Sequence, residues 1–515
     1  MMGQKDVMLV DGVRTAIGDF GGSLRDKPPT ELGSLVTAEA LRRSNVDAAE
    51  VDHTVFGNVI HTEARDMYLS RVAAMGAGIP KEVPAMTLNR LCGSGLQAIV
   101  SAAQLILLDD ADITVAGGAE SMSRAGHLIS TARWGQKMGN TVAVDMMTEA
   151  LHDPFGHGHM GITAENLAEK YHISRDQQDA FAFESHQRAQ KAIEGGHFQD
   201  QILPIDIKIK RDTFQFDQDE HVRADLKLPD MTSLRPAFKK DGTVTAGNAS
   251  GLNDAAAAVV LMSGEIAEKR GATPLAKIIG YGHAGVEPSE MGIGPVPAVK
   301  KMLNRIDMSI EDFDIIESNE AFAAQACAVS KSLGLDPEKV NPNGGAIALG
   351  HPIGASGCRI LVSLQRQSDQ LVLQVEDSGS GVPEADRERL LERFHTQGTS
   401  QGAGLGLSIV QRICVLGQGP SRRSYVRPRR SWASRRAPCW ARSATSTILT
   451  RTPPSRFRCS STSGTSQSSC RSPTTRCSPR CGSAPRRWST RRWSSRPPTR
   501  CCRALPLRTC ERRSL

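Results

Sequence analysis

Residues 89–108 read NRLCGSGLQAIVSAAQLILL, a polar glycine turn that runs straight into an apolar, helix-forming stretch. The turn sets Cys92 just ahead of Gly93, Ser94 and Gly95, so the spacing predicts a cysteine at the N-terminal end of a buried helix. At such an end the free backbone amides and the helix dipole stabilise negative charge, which predicts a thiol of lowered pKa and a nucleophilic sulfur near neutral pH. The glycines let a carbonyl group approach the backbone. The same context suits a buried, unreactive cysteine, and this stretch alone leaves both readings open.

Outward from it, short β-type runs alternate with helical stretches, which is the pattern of layered α/β architecture. The runs are VMLV at 7–10, ITVAGG at 113–118, AVVLM at 258–262 and FDIIES at 313–318. A helix is predicted from Ser174, whose capping box with Gln177 opens it and whose stop is Gly195 and Gly196. Residues 121–250 are rich in polar, Gly and Pro positions, as expected of a long insertion or lid between two α/β halves. Two later segments bear on Cys92: ESNEAFAAQACAV at 317–329 sets Asn319 and Glu320 at a strand-to-helix junction, and NPNGGAIALGHPIGASG at 341–357 holds His351 between glycine turns. Cys, His and Asn are the parts needed to activate a thiol, receive protons and hold a developing oxyanion. Taken singly, His351 equally suits a satisfied structural histidine, and Asn319 a helix cap.

The chain has 515 residues, enough for two to four ordinary domains, but its charge is divided. Residues 418–515 hold 24 Arg, no Lys, one acidic residue (Glu511), eight of the twelve Cys and four of the five Trp. The preceding 417 residues are acidic, with 39 basic against 54 acidic side chains, so the overall +8 describes neither part. The basic balance therefore argues nothing about nucleic acid for the front part. No apolar run is long enough for a signal peptide core or a membrane span, which predicts a soluble, cytoplasmic protein. The four front cysteines, Cys92, Cys327, Cys358 and Cys414, show no CxxC spacing. Reduced thiols are expected, with neither a disulfide framework nor a metal site.

The segments NRLCGSG, GGAESMS, HMGITAEN, RPAF, TVTAGNASGLNDAAAA, NEAFAAQ and NGGAIALGHPIGASG stand in this order. Together they resemble the thiolases, and more closely the bacterial biosynthetic acetyl-CoA acetyltransferases and β-ketothiolases, over residues 5–364. The resemblance implies an α/β fold, a duplicated, layered αβαβα arrangement with two sheets, a central helical layer and an inserted lid domain. It divides the chain into an N-terminal half at 1–120, the lid with its return at 121–250, and a truncated C-terminal half at 251–364. It implies a homo-oligomer, dimer or tetramer, with acetyl-CoA or another acyl-CoA and CoA as substrates and no cofactor. Cys92 would take the acyl group as a thioester, and His351, with Asn319 holding a water, would stabilise the thioester oxyanion or the enolate of a second acetyl-CoA. For CoA the matching positions are Leu151, His159, Met160, Arg223, Phe238, Ala246, Ser250, Ala321 and Phe322. Arg223 suits the nucleotide phosphates, Ser250 a polar contact to the pantetheine, and the rest apolar walls. Standing alone, Arg223 reads as a solvated charge and Met160 as a core side chain.

The resemblance then breaks. In thiolases a second cysteine, in a C-x-G-G-G-x-G turn, follows the His351 helix and moves the proton of the second acetyl-CoA. Here EDSGSGVP occupies that place, at 376–383, and the next cysteine is Cys414. Residues 365–417 instead resemble part of the ATP-binding domain of a sensor histidine kinase. By that resemblance Asp377 would meet adenine and Gly402, Gly404 and Gly406 would line the phosphates. The upstream Asn helix and the phospho-accepting His of that family are missing, which argues against ATP affinity. Residues 418–515 read as a disordered, frame-shifted continuation. Three functions therefore compete: an acyl-CoA enzyme impaired in its second half-reaction, a dead chimera that binds CoA or pairs with intact subunits, and a nucleotide or nucleic-acid binder through residues 365–515. The run LVLQVED and the DSGSG turn predict a substitute strand at 370–376, with Glu376 or Asp377 near the place of the absent sulfur.

Overall fold

The computed structural model describes residues 5–366. The predicted strand at 370–376, Glu376, Asp377, the Gly-rich boxes and the basic tail lie outside the described residues. The first half of the chain runs β1 (Val7–Thr15), α1 (Pro29–Arg43), β2 (His53–Gly57), α2 (Leu69–Gly76), β3 (Ala85–Leu88), α3 (Ser94–Leu107) and β4 (Ile113–Ser121). Two longer helices follow, α4 (Met160–Tyr171) and α5 (Arg175–Glu194), among short two-stranded pieces. The chain then returns as β5 (Asn253–Ser263) and continues through β6 (Ala276–Ile278), α6 (Pro295–Ile306), α7 (Ala323–Leu333) and α8 (Ser356–Arg366).

One mixed sheet carries the molecule, in the order β1-β5-β4-β2-β3. β5 lies antiparallel to β1 and to β4, pairing Asp254 with Ser121 through Met262 with Ile113. β4 and β2 are parallel, as are β2 and β3. Every residue of β4 and β5 is buried, which is why both read as runs of small and β-branched residues instead of alternating ones. The alternation instead sorts two apolar cores. Ala256, Ala258, Val260 and Met262 of β5 join Leu32, Val36 and Ala40 of α1 on one face. Ala257, Val259 and Leu261 meet Ala98, Ile99, Ala102 and Ile106 of α3 on the other, together with Cys358 and Val362 of α8. The predicted helix at Ser174 forms as read: its side chain and that of Gln177 make the capping box, Gly195 caps the end and Gly196 turns left-handed.

The second half repeats the order of the first and stops short. β6, α6, the segment around Ile316, α7, the segment around Val340 and α8 follow one another as β1, α1, β2, α2, β3 and α3 do. In the first half the two strands after α3 become the centre of the sheet, between β2 and β1. Among the described residues FDIIES has a neighbour on one side only. It forms a single parallel bridge, Ile316 to Val340, where the sequence predicts a strand. Among the described residues there is accordingly one large sheet. Arg359 on α8 is buried, its ion pair with Glu317 spans 3.6 Å, and its guanidinium nitrogens have no hydrogen-bond partner among the described residues.

α3 and α8 approach at glycines. A Cβ on Gly95 would lie 2.7 Å from Cys358 N and 3.0 Å from Gly354 O, and one on Gly357 would run into the backbone of Leu96. Gly95→Ala is therefore expected to cost about 1–3 kcal/mol through overpacking, read as a lower urea midpoint. An unchanged midpoint would show that the two helices do not need this contact.

Candidate active site

The turn before α3 is folded by Ser94, whose Oγ accepts from Arg90 N at 2.8 Å and donates to Leu91 O at 2.7 Å. Leu91 takes a left-handed φ of 47°, a conformation a branched side chain holds only where its surroundings impose it. Cys92 is thereby presented beside the helix end but not on it, since the cap of α3 is Gly93. The amides of Gly93 and Ser94 are already committed to Arg90 O and Leu91 O, at 3.1 and 2.9 Å. The lowered thiol pKa predicted from the sequence is accordingly not found. Burial pushes Cys92 up to about 11, and the Glu120 carboxylate adds to the rise.

His351 sits in the equivalent turn before α8, buried, with its backbone N donating to Asn253 Oδ1 at 2.8 Å. Its Nδ1 lies 2.6 Å from Ser356 Oγ and its Nε2 lies 3.4 Å from Asn319 Nδ2. Burial lowers its pKa to about 4, and the Arg359 charge nearby acts in the same direction, so the ring is neutral at physiological pH. Asn319 is not a cap, because α7 opens at Ala323 after Phe322. Its neighbour Glu320 is a buried brace that accepts from Ser185 Oγ, Asn341 Nδ2 and Ile347 N.

One side chain joins the cysteine's half to the histidine's. Glu120, fully buried on β4, accepts from Asn58 Nδ2, Val59 N and Ile60 N on one side and from Gly354 N of the His351 turn at 2.8 Å. Burial pushes its pKa up to about 8 while these backbone amides pull it down. Cys92 packs with Ile353, Ile60, Met122, Met147, Leu151 and Leu252 in one apolar cluster. Sequence reading quoted Glu120 and Ser356 within motifs but gave neither a task. The available signal was a carboxylate directly after the run ITVAGGA, which is apolar except for Thr114.

The candidate CoA contacts fall into two connected groups. Leu151 packs beside Cys92, and its carbonyl accepts from Met160 N at 2.8 Å. His159 caps α4 by accepting from Gly161 N and stacks on Phe238 at 4.7 Å. Phe238 meets Phe322 edge to face, and Gly161 is required because any Cβ there would enter the Phe238 ring. Ser250 N donates to Ala321 O at 3.0 Å, pinning the NASG turn to the NEAF turn. Arg223 and Ala246 stand apart from these, lining a cavity of about 130 Å³ with His186, His221, Met231 and Ala249. Among the described residues no group of three or more His, Cys, Asp or Glu side chains could hold a metal, and no helix is long and apolar enough to cross a membrane.

Comparison with known proteins agrees with this geometry. The thiolase N-terminal domain family matches residues 7–265 and the thiolase C-terminal domain family residues 272–382. A third family, the histidine kinase-, DNA gyrase B- and HSP90-like ATPases, matches residues 347–447. Its first residues, through Arg366, form the His351 turn and α8, and the rest lie outside the described residues. The chain is 63% identical over 359 residues to the beta-ketothiolase BktB of Cupriavidus necator, covering 70% of this chain and 91% of that protein. It is 52% identical to an acetyl-CoA acetyltransferase of Pseudomonas aeruginosa, over 70% of this chain and 92% of the relative. Among solved structures, the acetyl-CoA acetyltransferase of Bacillus anthracis superposes with a TM-score of 0.69 at 49% identity, covering 71% of this chain and 92% of that one. Human mitochondrial 3-ketoacyl-CoA thiolase in complex with CoA superposes with a TM-score of 0.68 at 44% identity, covering 71% and 91%. The chain belongs to the thiolase family.

Proposed function

We propose that this protein transfers an acyl group from an acyl-CoA to Cys92, as the first half of a thiolase reaction. The observation that carries the reading is the meeting of the two turns: Gly95 at the start of α3 packs against Gly354 and Cys358 of the His351 segment, and Cys92 shares one apolar cluster with Ile353. In the transfer the bond between the CoA sulfur and the acyl carbon breaks and a Cys92 Sγ–C bond forms. The thiol proton ends on the departing CoA sulfur. In this reading His351 and Asn319 stabilise the thioester oxygen as it gains charge, the neutral imidazole doing so through a ring N–H. The cluster of Met147, Leu151, Leu252 and Ile353 beside Cys92 suits an acyl chain, and Arg223 suits the phosphates at the far end.

The substrates are CoA thioesters, and nothing in this chemistry calls for a resident cofactor. A homo-oligomer is supported by the apolar side chains that the surface leaves open, among them Met86 on the outer strand β3, 40% exposed, and Trp134 and Met138, both 86% exposed. The second half-reaction is impaired in this reading, since no cysteine stands between Cys358 and Cys414 to remove the α-proton of a second acetyl-CoA. Loss of one catalytic acid or base costs about 10²–10⁴ in rate.

Incubation of the full chain with acetyl-CoA is expected to give one acetyl adduct by mass spectrometry, absent in Cys92→Ser. A folded wild-type protein that takes up no acetyl group would sink the proposal. A thiol raised to about 11 is protonated at neutral pH. Iodoacetamide alkylation of Cys92 should therefore climb about tenfold per pH unit from pH 7 to 9, and a plateau starting below pH 8 would mark a thiolate already formed.

A further inference from the structure

The chain that walls the cavity beside Arg223 is fastened to the segment after β1 one residue at a time. Asp219 takes a bidentate ion pair from buried Arg14, at 2.7 and 3.0 Å, and accepts from Ile17 N at 2.8 Å. Glu220 accepts from Asp19 N at 2.8 Å and from the amide and hydroxyl of Ser23. His221 then sets Nδ1 2.5 Å from Asp19 Oδ1. The hydrogen bond from His221 holds the Asp19 carboxyl below the usual carboxylate range, and an ionised carboxylate only accepts, so the imidazole is the donor. The ring seats over Gly251, where a Cβ would lie 2.5 Å from its Cε1. It lines the cavity with His186 and Arg223, and Arg223 N donates to His186 Nδ1 at 3.3 Å. Asp19 also accepts from Asn253 Nδ2 at 3.3 Å, and Asn253 Oδ1 accepts from His351 N.

We propose that Asp19 is a positioning residue for the nucleotide end of the CoA substrate, holding the His221 ring as a fixed part of the wall against which that end binds. The proposal rests on the reading of this cavity, with Arg223, as the place of the CoA phosphates. Among the described residues His221 has no other hydrogen-bond partner, so the carboxylate alone sets the ring's orientation. A ring already anchored leaves less ordering to be done when the coenzyme arrives. Arg223 supplies the positive charge, and Asp230, also on the wall, is engaged with Lys227 N at 3.1 Å. Two routes lead from Asp19 to the reaction, and they differ in kinetics. Through His221 it acts on the nucleotide end alone; through Asn253 it would act on the His351 turn, and so on every thioester alike. The Asn253 bond is the longer one, and Asn253 Nδ2 also donates to Gly18 O at 3.1 Å, so that amide keeps its orientation without Asp19. The route through His221 is the one the geometry favours.

The test follows acetylation of Cys92 in the full chain with two donors, acetyl-CoA and S-acetylpantetheine, which lacks the nucleotide. Calorimetry gives the Kd of CoA and of pantetheine in parallel. Asp19→Ala should raise the KM for acetyl-CoA and the Kd of CoA about tenfold, as loss of a hydrogen bond to a charged group does. The shift with the pantetheine compounds should be much smaller. Asp19→Asn, which keeps an acceptor for the ring, should recover most of the loss. His221→Phe should show the same selective loss, and adding Asp19→Ala to it should bring little more, since the two act as one unit. Equal slowing with both donors would overturn the proposal by placing the effect of Asp19 in the His351 turn, and so would a double variant whose losses multiply. Should Asp19→Ala not fold, His221→Phe with an unchanged ratio of CoA to pantetheine affinity overturns it instead. Wild-type protein that binds CoA no tighter than pantetheine would remove the reading of the cavity and this assignment together. If the affinities shift as expected but wild-type Cys92 takes no acetyl group, the acyl-transfer reading fails and the assignment of Asp19 stands.

Discussion

Two helices that meet without side chains between them set the chemistry of this protein. Because Gly95 admits the backbone of Cys358, and Gly357 admits that of Leu96, the N-terminal ends of α3 and α8 come within van der Waals contact. Each helix is preceded by a turn that carries one reactive group. The contact therefore brings Cys92 and His351 together although 259 positions separate them in the chain. Larger residues at either crossing point would hold the turns apart before any catalytic side chain was altered. Glu120 then ties the His351 turn to the Val59–Ile60 segment of the first half.

Burial, more than any local dipole, decides the charges inside the site. It raises the thiol, lowers the imidazole and raises Glu120, so each of these groups is pushed toward its neutral form. A site of this kind does not hold a waiting thiolate. Its polar groups are useful once a substrate brings charge to them, and preorganised donors cost no rearrangement at that moment.

Much of this was legible in the sequence. The order of seven glycine-rich and apolar motifs implied the fold, Ser174 and Gln177 fixed the start of one helix, and the cysteine and histidine turns stood out. Three things were not legible, each for a physical reason. The thiol was expected to be acidic because the turn promised free amides, but Ser94 and the carbonyls of Arg90 and Leu91 use that turn's hydrogen bonds, and burial does the rest. FDIIES reads as a strand from its own residues, but a strand also needs neighbours, and among the described residues it has one on a single side. Glu120 braces the His351 turn through partners far away in the sequence, which residue type does not announce.

The chain thus pairs a thiolase fold through α8 with a sequence that lacks the second thiolase cysteine at the matching place. The account's central claim is that such a molecule completes the acyl transfer and stalls at the condensation. Rapid mixing of the full chain with excess acetyl-CoA, followed by quench and chromatography, tests it most directly. The account predicts a burst of about one CoA per chain with at most slow release afterwards and little acetoacetyl-CoA, as an accumulating acyl-enzyme requires. Steady acetoacetyl-CoA formation over many turnovers, or no CoA release from folded protein, would contradict it.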